Sequence, residues 1–187
     1  MIKKNKYNLE NLIGVIRAGI LIRIKANSYG SLPRIRGAMN IINNGNLIVG
    51  NNFSVTSKPI KSLITIEKGA KLSIGDNVFI NYGVDIGCTK YIQIGNNTKI
   101  GPLTNIIDND FHQIEPHRSV VCEDILIGDN VWIGRQCIIL PGVEIGNNSV
   151  IASGSVVTKD IPNNVLVAGV PAKIIKQLNI IDGWVRK

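Results

Sequence analysis

Both histidines of this chain lie in one short segment, Ile107-Asp108-Asn109-Asp110-Phe111-His112-Gln113-Ile114-Glu115-Pro116-His117-Arg118-Ser119. The rest of the chain contains none, so their placement is informative. Histidine is the side chain best matched to proton transfer near neutral pH. Asp108, Asp110 or Glu115 could accept a bond from one ring nitrogen and fix the tautomer, leaving the other nitrogen free to act as a base. Two other readings exist. In an extended segment Asp108, Asp110 and His112 would alternate onto one face, a set that could bind a divalent metal. No further histidine or cysteine pattern supports it, so no metal is expected. The segment could also be a polar hairpin that holds subunits together. General-base chemistry is the reading taken.

A protein nucleophile is not expected. Cys88, Cys122 and Cys137 form no CxxC and no disulfide framework, which favours a reducing compartment. Cys137 occupies a position where small side chains recur and reads as a packed hydrophobe. Cys88 and Cys122 have no neighbouring feature that would mark a thiolate.

The elements that must position the histidines show in a period of six. Ile127, Ile133, Ile139, Ile145, Ile151 and Val157 follow one another at that spacing. Upstream, Ile74, Ile80, Ile86 and Ile92, then Ile94, Ile100 and Ile106, keep the same rule across a two-residue offset. Neither a helix nor a flat amphipathic strand needs such a period. It is expected of short straight sides joined by corners, with one aliphatic per side pointing inward and each coil stacked on the last. The glycine, asparagine and aspartate that follow the aliphatic suit corners where the chain takes positive φ or bonds its own backbone. The tag [IV]-G-[DN]-N opens coils at Val49, Ile74, Ile94, Ile127 and Ile145. A coil of three six-residue sides needs about 18 residues, so the long interval from Ile94 to Ile127 contains an insertion, residues 107–124. It is the segment that carries both histidines, and insertions into rigid solenoids tend to carry function.

The chain of 187 residues fits one domain, and its low aromatic content of 5% suits a narrow interior of branched aliphatics. A net charge of +8 favours anionic partners such as a phosphorylated cofactor, a nucleotide sugar or a membrane surface. No nucleic-acid motif is present and the charges read as scattered, so nucleic acid is not expected. There is no secretory-signal pattern and no apolar run of membrane-spanning length, so a soluble cytoplasmic protein is expected.

Residues 1–46 do not follow the repeat. Leu9, Leu12, Ile13, Ile16, Ile20 and Ile24 have helical spacing, with Arg17, Arg23 and Lys25 on or near the other face. The expectation is a segment capping the open first coil; the alternative is a surface helix binding acidic lipid headgroups at the inner face of a membrane. Pro33 and Gly37 mark a break, and the solenoid is expected over residues 47–175, with a tail at 176–187.

The run IGDNVWIGRQCIILPGVEIGNNSVIASGSVVTKDIPNNVLVAGVPAKIIKQLN resembles the C-terminal half of the hexapeptide-repeat acyltransferases. It is most similar to the galactoside, maltose and capsular-polysaccharide O-acetyltransferases, and the DNDFH segment resembles the histidine loop of the polysaccharide-modifying members. The resemblance covers residues 47–179. It implies a left-handed parallel β-helix, a homotrimer with active sites between neighbouring subunits, and acetyl-CoA as donor. Position by position, it makes His112 the general base. Asn81, in FINYG, becomes the residue positioning the acceptor, with Tyr82, Asp108 and Asp110 on the acceptor side. Trp132 lines the cofactor cleft, and at Gly134 and Arg135 a backbone N–H polarises the thioester carbonyl. Ser153, Thr158 and Lys159 contact the pantetheine arm and adenine end, while Lys173 and Lys176 approach the cofactor phosphate. Arg135 stands where relatives often carry a small residue. The implied activity is O-acetylation of a sugar hydroxyl in a surface polysaccharide or its precursor. The alternatives are N-acetylation of a nucleotide-linked amino sugar and a scaffold without activity. A zinc carbonic anhydrase of similar architecture would need three metal-binding histidines, and this chain has two.

Overall fold

The computed structural model describes the backbone of residues 3–186 and the side chains of residues 12–186. Most of the chain is a left-handed parallel β-helix of about seven turns, built as the six-residue period requires. On its first side the strands Ser28–Tyr29, Asn46–Val49, Lys71–Ile74, Tyr91–Ile94, Ile125–Ile127 and Glu144–Ile145 stack in parallel, and Ile161 bridges Ile145 to open the last turn. The second side holds Phe79–Ile80, Lys99–Ile100, Trp132–Ile133, Val150–Ile151 and Val165–Gly169. The third holds Asp85–Cys88, Asn105–Ile107, Ile138–Ile139 and Val156–Val157. Two long strands, Arg34–Asn43 and Ser54–Ile66, run along both of these sides and fuse them into one sheet.

The inward columns of the second and third sides are aliphatic. On the second side it reads Ile35, Val55, Ile80, Ile100, Ile133, Ile151 and Val167, all buried. On the third it reads Ile41, Ile64, Ile86, Ile106, Ile139 and Val157. At roughly 25 cal/mol per Å² of apolar surface withdrawn from water, this continuous column supplies the main drive for coiling.

The four-residue tag has a distinct cause at every position, seen in Ile127-Gly128-Asp129-Asn130. Ile127 is fully buried. A Cβ on Gly128 would lie 2.4 Å from Asn147 Oδ1, so glycine is required there by the closeness of the next coil. The expected reason, positive φ, belongs instead to the asparagine two positions on. Asn130 has φ +56°, and Asn52, Asn77, Asn97, Asn148 and Asn164 match it; asparagine is among the few residues that tolerate this region. The third position forms a ladder. Asp129 N–H donates to Asn147 Oδ1 at 2.7 Å, Asn147 N–H to Asn163 Oδ1 at 2.6 Å, and Asn96 N–H to Asp129 Oδ1 at 2.6 Å. The asparagines in left-handed conformation add a second ladder, Asn130 to Asn148 to Asn164 through side-chain amides.

The N-terminal segment differs from expectation in one respect. The stacked strands begin at Ser28, and Ile35, Met39 and Ile41 are already in the core, so the solenoid starts before residue 47. The repeat is hidden there because Leu32-Pro33 replaces the asparagine corner, although Leu32 still adopts φ +54°. Ahead of it, helix α1, Lys3–Lys25, covers the first coil with Gly14, Ala18 and Ile22 buried. Leu9, assigned to the helical stripe, lies outside the described side chains.

Candidate active site

The histidine segment is a hairpin-like loop rooted in the fourth coil, where Asn105–Ile107 ends and Ile125–Ile127 begins. Its arms are tied by an antiparallel bridge between Asn109 and Cys122, by Asp110 N–H to Val121 O at 3.0 Å, and by Glu123 N–H to Asp108 O at 3.0 Å. Phe111 turns the chain outward with φ +61°, its N–H donating to Asn109 Oδ1, and His112 N–H closes on Asp110 O at 2.7 Å. Residues 111–120 are therefore all exposed, His112 and His117 included.

Asp108 does not face the histidines. It is fully buried, and its carboxylate accepts three backbone and hydroxyl donors, Thr89 N–H at 2.7 Å, Thr89 Oγ1–H at 2.8 Å and Lys90 N–H at 2.9 Å. It anchors the loop to the coil below. The alternation that would place Asp108, Asp110 and His112 on one face is thus absent, because Asp108 is tied inward while Asp110 and His112 are exposed. Among the described residues no three His, Cys, Asp or Glu side chains converge as a metal-binding group. A salt bridge of 2.9 Å from Lys90 Nζ to Asp124 Oδ1 clamps the second arm and raises the Lys90 pKa.

At the corner between the second and third sides, the structure brings together four other residues singled out above. Asn81 Oδ1 accepts from Tyr82 N–H at 2.9 Å. The Tyr82 hydroxyl accepts from Arg135 Nη1 at 3.2 Å, with the guanidinium 6.0 Å from the ring centroid. Arg135 N–H in turn donates to Ser153 Oγ at 3.1 Å. Sequence gave no sign of the Tyr82–Arg135 pair, since the two stand 53 positions apart and meet across an intervening coil. Gly134 belongs to the same stack, where a Cβ would approach Ser153 N to 2.6 Å.

The remaining residues lie elsewhere. Trp132 stands outward on the second side, 47% exposed, between Lys99 and Val150. Lys173 and Lys176 are exposed on Ala172–Gln177, which pairs antiparallel with Val165–Gly169 on that same side. Thr158 and Lys159 sit exposed at the corner between the third and first sides, two coils beyond the root of the histidine loop. Within one chain the histidine loop and the Asn81–Ser153 stack therefore occupy opposite edges of the third side.

The tail was missed. Arg186 N–H donates to Asn130 Oδ1 at 2.8 Å, Asn130 Nδ2 to Trp184 O at 3.1 Å, and Arg186 Nη2 to Asn148 O at 3.2 Å. The segment folds back along the asparagine ladder, with the Arg186 guanidinium 4.9 Å from the Trp184 ring centroid. Burial, aided by Arg186, lowers the Lys99 pKa beside Trp132. A signal was present: Trp184 is one of only two tryptophans in the chain.

Neither buried thiol is placed to form a thiolate near neutral pH. Burial, reinforced by Asp108, pushes Cys88 up to about 12, and burial likewise raises Cys137.

Comparison with known proteins agrees with this architecture. Residues 124–159 match the bacterial transferase hexapeptide family (six repeats). WbbJ of Escherichia coli (strain K12), provisionally assigned as a lipopolysaccharide biosynthesis O-acetyl transferase, is 33% identical over 93% of this chain and 92% of its own length. The galactoside O-acetyltransferase of the same organism is 40% identical over 61% of this chain, a match that spans 58% of that enzyme. Among solved structures, a galactoside acetyltransferase in complex with coenzyme A superposes with a TM-score of 0.64 at 28% identity, over 92% of this chain and 79% of that one.

Proposed function

This chain belongs to the bacterial hexapeptide-repeat acyltransferases, and from that premise we propose that it transfers the acetyl group of acetyl-CoA to a sugar hydroxyl of a surface polysaccharide or its precursor. The observation that carries the reading is the loop of the fourth coil, which holds His112 exposed and anchored from beneath by Asp108. His112 removes the acceptor hydroxyl proton as the oxygen attacks the thioester carbonyl; the tetrahedral adduct then collapses and releases coenzyme A as thiol. The thioester is already activated, so the enzyme's tasks are positioning and charge stabilisation. The Arg135 N–H, now bonded to Ser153 Oγ, is the donor for the developing oxyanion, with the serine hydroxyl giving way to it. Asn81 and Tyr82 bind the acceptor, and Asp110 flanks it. Trp132, Gly134, Ser153, Thr158, Lys159, Lys173 and Lys176 hold acetyl-CoA.

The site is completed between subunits of a homotrimer. Support comes from the separation of the His112 loop and the Asn81–Ser153 stack within one chain. The loop also exposes Phe111 and Ile114, at 54% and 68%, as apolar surface that a neighbour would cover. The choice of a hydroxyl acceptor rests on the likeness to WbbJ over nearly the whole chain.

The test is incubation of the purified protein with acetyl-CoA and a panel of sugar acceptors, following free-thiol release and product mass. An alkali-labile ester from wild type is expected. His112→Ala should lower kcat by about 10²–10⁴-fold, the usual contribution of a general base, while acetyl-CoA affinity stays near wild type. An alkali-stable amide would move the reading to amino-sugar N-acetylation, and an undiminished rate in His112→Ala would remove that residue from the mechanism.

A further inference from the structure

Helix α1 is apolar on two opposite faces. Gly14, Ala18 and Ile22, four residues apart, are buried against the first coil. Ile13, Ile16, Ile20 and Ile24 form a second stripe about half a turn away, and they remain 47%, 55%, 58% and 71% exposed. Covering the first coil requires only the inner stripe. Where the outer stripe meets the edge strand at Ala38 and Met39, it forms an open apolar groove of about 530 Å³. A contiguous exposed patch of this kind marks a surface that meets another apolar phase.

The charge around it names that phase. Residues 1–66 contain ten Lys and Arg and a single acidic residue, Glu10, whereas residues 67–187 contain eleven against twelve. The whole excess positive charge therefore belongs to the helix and the first coils, although along the sequence the charges read as scattered. Arg17, whose Nη1 donates to Gly37 O at 2.7 Å, lines the groove, and Arg23, Lys25 and Arg34 are exposed on the helix and on the strand that follows it. Two copies meeting through this end would bring like charges together, while an anionic lipid surface would neutralise them. No described helix is long and apolar enough to cross a membrane, so α1 would lie along the surface.

The geometry points to α1 as a membrane-docking element: its outer isoleucine stripe enters the headgroup–acyl boundary of an anionic bilayer, and the flanking arginines and lysines pair with lipid phosphates. The solenoid then stands end-on, with its first coil toward the lipid.

Full-length protein is sedimented with vesicles of phosphatidylcholine alone and of phosphatidylcholine mixed with phosphatidylglycerol, at low and high salt. Binding to the mixed vesicles, weakened by salt, is expected. The double variant Ile16→Glu/Ile20→Glu should bind at least about tenfold more weakly, since two apolar side chains no longer leave water. Its melting temperature and its mass by light scattering should equal those of wild type, because both positions are exposed; Ile16→Ser/Ile20→Ser serves if the charged pair perturbs folding. The inference is overturned by absence of wild-type binding to anionic vesicles, or by binding that the substitutions leave unchanged. Dissociation of an oligomer by the double variant would also overturn it, assigning the stripe to a contact between copies. None of these readouts depends on acetyl transfer, so the docking and the enzymatic reading stand or fall separately.

Discussion

At the scale of single residues, Asp108 separates anchoring from chemistry. Its carboxylate accepts from three donors of the coil beneath, Thr89 N–H, Thr89 Oγ1–H and Lys90 N–H, so its work is to fix the root of the loop. Asp108→Ala would take away the carboxylate that the half-buried Thr89 N–H and the Lys90 N–H donate to. It should cost about 3 kcal/mol in urea denaturation and make residues 111–120 open to limited proteolysis. Cys88 is a second case. Its folded pKa, about 12, lies above its ordinary 9.0, so the folded state retains a proton that the unfolded state releases. The stability this contributes is complete below 9.0 and is lost as pH rises toward 12. The urea midpoint of wild type should therefore fall more steeply above pH 9.0 than that of Cys88→Ala, and equal slopes would contradict the assigned cause.

At the scale of elements, the corner is the unit of specification. Asn148 combines φ +61° with a side-chain bond to Asn164 Oδ1 at 2.9 Å and acceptance from Asn130 Nδ2 at 2.7 Å. Asn148→Gly and Asn148→Ala both break the ladder, but glycine adopts the left-handed conformation without a Cβ penalty. The alanine variant should thus be less stable than the glycine variant by about 1–2 kcal/mol, measured as the difference in chemical denaturation. Equal losses would mean that the ladder bonds, and not the backbone conformation, select asparagine.

At the scale of the whole molecule, parallel stacking determines what can meet. Coils rise by about 4.8 Å, so the root of the histidine loop lies roughly 14 Å along the axis from the first coil, close to any surface that α1 touches. Stacking also keeps the His112 loop and the Asn81–Ser153 stack on separate edges of one prism. If neighbouring prisms complete the site, His112→Ala and Asn81→Ala subunits should each be inactive alone. Co-expressed as mixed oligomers they should regain part of the wild-type rate, because some clefts then combine an intact His112 with an intact Asn81. Failure to complement, with mixed oligomers demonstrated by mass, would place both residues in one subunit's site.

Much of this was legible in the residues themselves. The six-residue period determined the coiled fold and the inward columns, because burial of one aliphatic per side is a local rule repeated along the chain. The interruption between Ile94 and Ile127 located the histidine loop for the same reason. Other features depended on which coil lies above which. The first coil escaped the pattern because Leu32-Pro33 stands at its asparagine corner, and Asp108 turned inward because its donors come from the coil below. Tyr82 met Arg135 across 53 positions, and the tail returned to Asn130. Contacts along a solenoid's axis join residues whose separation varies with every insertion, so only the tertiary stack decides them, while the periodic burial that builds each coil is written in the sequence alone.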